Sequence, residues 1–188
     1  MRVAVVYESL MGNTRRVAEA IAAGVRRAAP EVAVTCSPAG RAAGGDADVL
    51  IVGAPTHFFG VPRARSRRLW VNGQQRARER GQPTPASEPG AADAGVREWL
   101  DALPAGRGTR AAAFDTRLGR PLAGGAAPRI ARRLLRHGYD LVAAPEGFVV
   151  EDMAGPLRAG ELERAAAWGS RVVAECGNVA PARHAAVD

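Results

Sequence analysis

The residues with the most chemical potential are Ser9, Gly12, Asn13 and Thr14, in the run Ser9-Leu10-Met11-Gly12-Asn13-Thr14. Two hydroxyls and a carboxamide are hydrogen-bond donors, and a glycine among them lets the backbone come close to a ligand. Upstream, Val3-Ala4-Val5-Val6-Tyr7 is a continuous apolar run, the pattern of a parallel strand covered on both faces. Downstream, Val17, Ala18, Ile21, Gly24 and Val25 recur at helical spacing, which predicts a helix starting near Thr14. The first N–H groups of such a helix lack internal partners, and its dipole favours negative charge there. The expected ligand group is a phosphate. A nucleoside-triphosphate loop needs a lysine, and the chain has none; nor does it carry G-x-G-x-x-G at this junction, the dinucleotide pattern.

A second loop, Gly53-Ala54-Pro55-Thr56-His57-Phe58-Phe59-Gly60-Val61-Pro62, follows the apolar run Ala47 to Gly53. Pro55 and Gly60 bracket a turn. Phe58 and Phe59 either offer rings for a flat aromatic ligand or seal the end of the sheet. His57 is a candidate for proton transfer and equally an ordinary surface residue. The third loop, Phe114-Asp115-Thr116-Arg117-Leu118-Gly119, ends the strand Arg110 to Asp115. Its Asp115 and Arg117 either meet a ligand or are simply solvated.

Such loops need a scaffold, and the chain alternates strands with helices. Glu31 to Ser37 reads as a second strand and Ala47 to Gly53 as a central third, separated by a Gly- and Ala-rich stretch, Pro38 to Asp46, with room for only a short helix. Val96, Trp99, Leu100 and Leu103 form a helical stripe ended by Pro104. Pro128 suits the first turn of a helix carrying Ile130, Ala131, Leu134 and Leu135, ended by Gly138. Tyr139 to Val150 is extended with an interruption at Pro145, and a last helix carries Leu162, Ala165, Ala166, Gly169, Val172, Val173 and Cys176 on one face. The expected fold is α/β: a doubly wound, five-stranded parallel sheet of order 2-1-3-4-5 with helices on both faces. Its ligand lies beyond the carboxyl ends of strands 1 and 3.

The succession of strand, S-x-M-G-N-T and helix resembles the flavodoxin family, and the second loop is similar to that of flavodoxins and the related NAD(P)H:quinone reductases. The resemblance runs from Met1 to about Cys176; the first loop matches well, the second in part and the third by position alone. It implies one flavodoxin-like domain over 1–178 and FMN as a non-covalent cofactor; within it 73–95, rich in Gly, Gln, Pro, Ser and charges without apolar periodicity, reads as a mobile insertion, and 179–188 reads as a flexible tail. Ser9, Leu10, Met11, Gly12, Asn13 and Thr14 would wrap the phosphate. Pro55, Thr56, His57, Phe58 and Gly60 would flank the ring, with His57 the catalytic candidate. Asp115, Thr116 and Arg117 would meet the pyrimidine edge, Asp115 at N3–H and Arg117 near N1. No Tyr or Trp follows Asp115, a departure from the family pattern, so stacking would fall to Phe58 or Trp70. The implied activity is that of an FMN-dependent reductase passing electrons from NAD(P)H to a quinone-like acceptor. The alternatives are an electron carrier between protein partners and a flavodoxin fold without flavin.

Composition narrows the remaining options. The formal net charge is +7 and every basic residue is Arg, whereas electron-transfer flavodoxins are typically acidic. Arg63, Arg65, Arg67, Arg68, Arg76, Arg78 and Arg80 crowd into one stretch, a possible seat for an acidic protein surface or a nucleotide phosphate, or the compositional mark of GC-biased coding. Without aromatic interleaving or a recognised motif, nucleic acid is not an expected partner. The three His and two distant Cys leave no zinc spacing, the lack of Lys rules out Schiff-base chemistry, and no G-x-S-x-G is present. Cys36 and Cys176 read as buried thiols. There is no apolar run of about 18 residues to span a membrane and no charged-then-apolar leader, so the expected location is the cytoplasm. The oligomeric state stays open, a homo-oligomer included.

Overall fold

The computed structural model describes residues 1–43, 46–56, 60–85, 87–91, 93–119 and 125–178. Strands β1 (Arg2–Tyr7), β2 (Ala33–Pro38), β3 (Val49–Pro55), β4 (Arg110–Leu118), β5 (Asp140–Leu141) and β6 (Glu146–Val150) form one parallel sheet. The order is β2-β1-β3-β4-β5, with β6 also paired to β4, so the fifth sheet position is filled by two short strands broken around Pro145. The helices are α1 (Asn13–Ala28), α2 (Ala64–Glu79), α3 (Val96–Asp101), α4 (Ala127–Arg136) and α5 (Glu161–Asn178). Among the described residues a single 3-10 turn, Ala39–Arg41, lies between β2 and β3, in line with the Gly- and Ala-rich composition there.

Strand alternation sends Val3, Val5, Tyr7, Ile51 and Phe114 to one face, where they meet Val17 and Ile21 of α1 and Trp168 and Val172 of α5. Val6, Leu50, Val52, Ala111 and Ala113 point to the other, against Leu100 of α3 and Ile130 and Leu134 of α4. Both faces of the sheet are therefore dry, which is why its strands read as unbroken apolar runs. Phe114, Phe148 and Trp168 pack edge to face around one point, each pair of ring centroids 6.3 Å apart. Gly53 makes room for that cluster: it pairs with Phe114 across β3 and β4, and a Cβ on it would run into the Phe114 ring.

Two expectations need correcting. Residues 73–79, assigned to an irregular insertion, are the second half of α2. That helix buries a single side chain, Arg67, so it has no apolar stripe for periodicity to reveal. Leu135, placed on the buried face of α4, is instead exposed, while Leu103 is buried beyond the end of α3. Among the described residues no helix is long and apolar enough to cross a membrane, and no group of His, Cys, Asp and Glu is arranged to hold a metal ion. Cys36 is a half-buried free thiol and Cys176 a buried one. Burial pushes the Cys36 thiol up to about 11.

Helices α1 and α5 lie backbone against backbone. A Cβ on Gly24 would collide with the Ala166 carbonyl, and one on Gly169 with the Ile21 carbonyl. Ser170 Oγ bonds the Gly24 carbonyl at 2.9 Å across the same contact. Gly24→Ala should therefore cost about 1–3 kcal/mol of stability through overpacking, despite alanine's better helix propensity, as a shift of the urea midpoint at unchanged slope.

Candidate functional site

The three loops converge at the carboxyl ends of β1, β3 and β4. Gly12 takes the left-handed conformation, φ 84° and ψ −17°, immediately before the first turn of α1. That conformation turns the chain from strand to helix and is natural only for glycine. The Gly12 N–H donates to Ser9 Oγ at 3.1 Å, which leaves the serine O–H free to donate. Thr14 Oγ1 lies 2.8 Å from Thr116 Oγ1, in a buried contact between the start of α1 and the end of β4. Two hydroxyls joined by one hydrogen bond retain one O–H between them for a further acceptor. The Asn13 carboxamide donates to the Ala154 carbonyl at 3.1 Å, tying the loop to the turn before α5.

Thr56 joins the second loop to the third. Its N–H donates to the Thr116 carbonyl at 2.8 Å, and its hydroxyl donates to Asp115 Oδ2 at 3.2 Å while accepting from the Ala126 N–H at 2.9 Å. Asp115 is fully buried; Oδ2 also accepts from the Ala127 N–H, capping α4, while Oδ1 has no hydrogen-bond partner among the described residues. Arg117 Nε stands 3.7 Å from that free oxygen. Burial raises the Asp115 carboxyl above its usual value, against the pull of the Ala127 N–H, Arg117 and Thr56.

The described members of the sequence-derived set lie at these loops, each with its own contacts. Leu10 is buried and its carbonyl accepts from the Glu88 N–H at 2.9 Å; Met11 is half-buried. Pro55 pairs with Thr116 at the sheet end, and Gly60 is buried beside the Arg129 side chain. The hydroxyl of Thr56 is committed to Asp115 and α4. His57, Phe58 and Phe59 lie outside the described residues. The alternative stacking residue, Trp70, sits half-buried on α2.

Sequence reasoning missed four charged residues next to these loops. Glu8, directly after β1, accepts from the Val96 N–H at 2.9 Å and faces Arg67 Nη1 at 3.5 Å. Arg67, only 2% exposed, also donates to Glu98 Oε2 at 2.8 Å. Arg67, one of the seven arginines crowded into 63–80, is the buried anchor of α2. The fourth, Glu88, donates its N–H to the first loop, and its carboxylate accepts from Arg15 Nε at 3.0 Å. The one available signal was Glu8 itself, a charge placed directly after an apolar strand.

No family model matches the chain, and no curated protein matches it. Solved structures do. A flavodoxin from the domain Archaea superposes with a TM-score of 0.63 at 17% identity, over 94% of this chain and 99% of that one. Oxidised flavodoxin 1 from Bacillus cereus gives the same TM-score, 0.63, at 17% identity over 96% and 100% of the two chains. This chain has the flavodoxin fold. A WrbA-like flavodoxin from Agrobacterium tumefaciens aligns over 95% and 99% of the two chains at 18% identity, with a TM-score of 0.53.

In this flavodoxin fold the Glu8, Arg67 and Glu98 cluster joins the end of β1 to α2 and α3. Burial pushes the Glu8 carboxyl up from 4.5 to about 7, with Arg67 and the Val96 N–H pulling the other way. For Glu98 burial also opposes ionisation, but its backbone and Arg67 hydrogen bonds prevail and hold it below the usual value. The folded chain therefore holds the Glu8 proton more tightly than the unfolded chain. Its contribution is full below pH 4.5 and is lost as pH rises through about 7. That amounts to at most about 3 kcal/mol. Denaturation of Glu8→Gln across that window should show a flatter stability profile than wild type, whereas identical profiles would remove Glu8 as the titrating group.

Proposed function

We propose that this chain binds FMN non-covalently at the convergence of the three loops and acts as an FMN-dependent reductase, passing electrons from a reduced nicotinamide to a quinone-like acceptor. One observation carries the cofactor. A carboxylate oxygen, Glu88 Oε1, stands 2.8 Å from where a Cβ on Gly12 would be, and its fellow oxygen accepts from Arg15 Nε, so an acidic group already stands against the turn into α1. The surrounding groups suit the rest of the molecule. Ser9 and the Thr14–Thr116 pair have O–H donors to spare for phosphate oxygens, and Asp115 Oδ1 is a buried acceptor available to a ring N–H. Arg117, beside Asp115, brings positive charge to the same edge.

Bound there, FMN would supply the redox chemistry between the nicotinamide donor and the quinone-like acceptor. The chain's own residues bind and orient. Gly12 gives the phosphate close access to backbone N–H groups, and Thr56 and the α4 N-terminus hold Asp115 in place. The charge supports a reductase over a protein-to-protein carrier. Arg63, Arg65 and Arg68 on and just before α2 are exposed, and they attract the phosphates of a nicotinamide nucleotide.

The purified chain reconstituted with FMN should absorb in the blue, and Gly12→Val should lose at least about tenfold in FMN affinity, because its Cβ fills the anion seat and its left-handed backbone costs about 1–2 kcal/mol. Flavin titration of folded Gly12→Val checks this, wild-type affinity assigning the loop a purely structural role. Oxidation of NAD(P)H by the reconstituted chain with a quinone, and no other protein, is the expected activity. Dependence on a separate reductase would restore the carrier.

A further inference from the structure

Glu88 is not a passing neighbour of the first loop. Its N–H is bonded to the Leu10 carbonyl, and its own carbonyl accepts from the Ala91 N–H at 3.1 Å, so a short turn holds the residue against the loop. Its carboxylate is largely buried, 20% exposed, with one oxygen over Gly12 and the other on Arg15 Nε. Arg15 lies in the first turn of α1, which has no acidic residue of its own. A second partner, Glu19, holds another nitrogen of Arg15 at 3.0 Å one helical turn on. Loss of Glu88 from the seat would therefore leave Arg15 positioned and its Nε open. The neighbouring cleft, lined by Tyr7, Glu8, Ser9, Arg67, Glu88 and Gly95 among others, has a volume of about 60 Å³.

We propose that Glu88 is an internal counter-anion of the phosphate loop and that binding is an exchange: the carboxylate leaves Gly12 and Arg15, and a phosphate takes both places. A carboxylate and a phosphate dianion cannot share the seat, since like charges a few ångströms apart in a partly buried site repel strongly. Glu88 thus sets the loop's affinity for phosphate and screens out weak anions, and Arg15 becomes a phosphate ligand. The exchange rests on the flavin reading only for the identity of the molecule that carries the phosphate.

Calorimetric titration of inorganic phosphate, riboflavin and FMN into the full chain and its Glu88→Gln variant tests the exchange. Glutamine keeps the size and the backbone bond to Leu10 while removing the charge. Phosphate and FMN should each bind about tenfold more tightly to the variant, with riboflavin unchanged. Arg15→Gln should weaken FMN about tenfold and leave riboflavin alone. Equal phosphate affinity in wild type and Glu88→Gln overturns the proposal, as does an equal gain for riboflavin, which would make the turn a simple steric cover. Tighter FMN binding by Arg15→Gln overturns the hand-over, because Arg15 would then serve only to retain Glu88. Tighter phosphate binding with no flavin binding in either protein supports the exchange and defeats the FMN reading; flavin binding of equal strength in both does the reverse.

Discussion

The position of β1 between two parallel neighbours is the constraint on which the chemistry depends. Its partner on one side is β2, reached by a crossover through α1, and on the other β3, from which the chain departs through α2 and α3. Connections that leave one sheet in two directions part at the carboxyl end of β1 and open a crevice there. The loops after β1, β3 and β4 enter that region, and the Thr14 to Thr116 and Thr56 to Asp115 bonds hold their roots together. The sheet is dry on both faces, and the polar groups of these loops stand at its carboxyl end.

Charge does structural work close to that crevice. Helix α2 buries no apolar side chain; its attachment is Arg67, held between Glu8 and Glu98. A buried ion pair gains little over an apolar contact, but breaking it by removing one partner leaves an uncompensated charge and is costly. The second loop leads directly into α2, so the same triad helps fix that loop's exit. Glu88 and Arg15 form a separate pair nearby, where the carboxylate stands against the turn into α1.

Local pattern was enough for most of the architecture. The apolar runs at Val3 to Tyr7 and around Val49 to Val52 read as buried parallel strands because both faces are covered, and the 3.6 spacing of Val17, Ile21 and Val25 identified α1 because one side of that helix meets the sheet. The glycine and hydroxyls of Ser9 to Thr14 marked the strand-to-helix turn, since glycine takes the left-handed backbone found at position 12 without a Cβ penalty. These features repeat at short range, and a chain read one residue at a time contains them.

The charged partners were decided by tertiary structure. Glu8 and Arg67 are 59 positions apart on the chain, Arg15 and Glu88 are 73 apart, and no periodicity links such residues. Arg67 was indistinguishable from its exposed neighbours Arg65 and Arg68 because a long basic side chain reads the same whether it meets water or a buried carboxylate. Helix α2 escaped notice for the same reason, its one buried side chain being polar. Sequence alone determined where the strand turns into the helix at Gly12, through backbone geometry and hydrophobic period. Only folding decided that one of the chain's own carboxylates stands there, because that contact depends on the path of a turn that carries no repeating pattern.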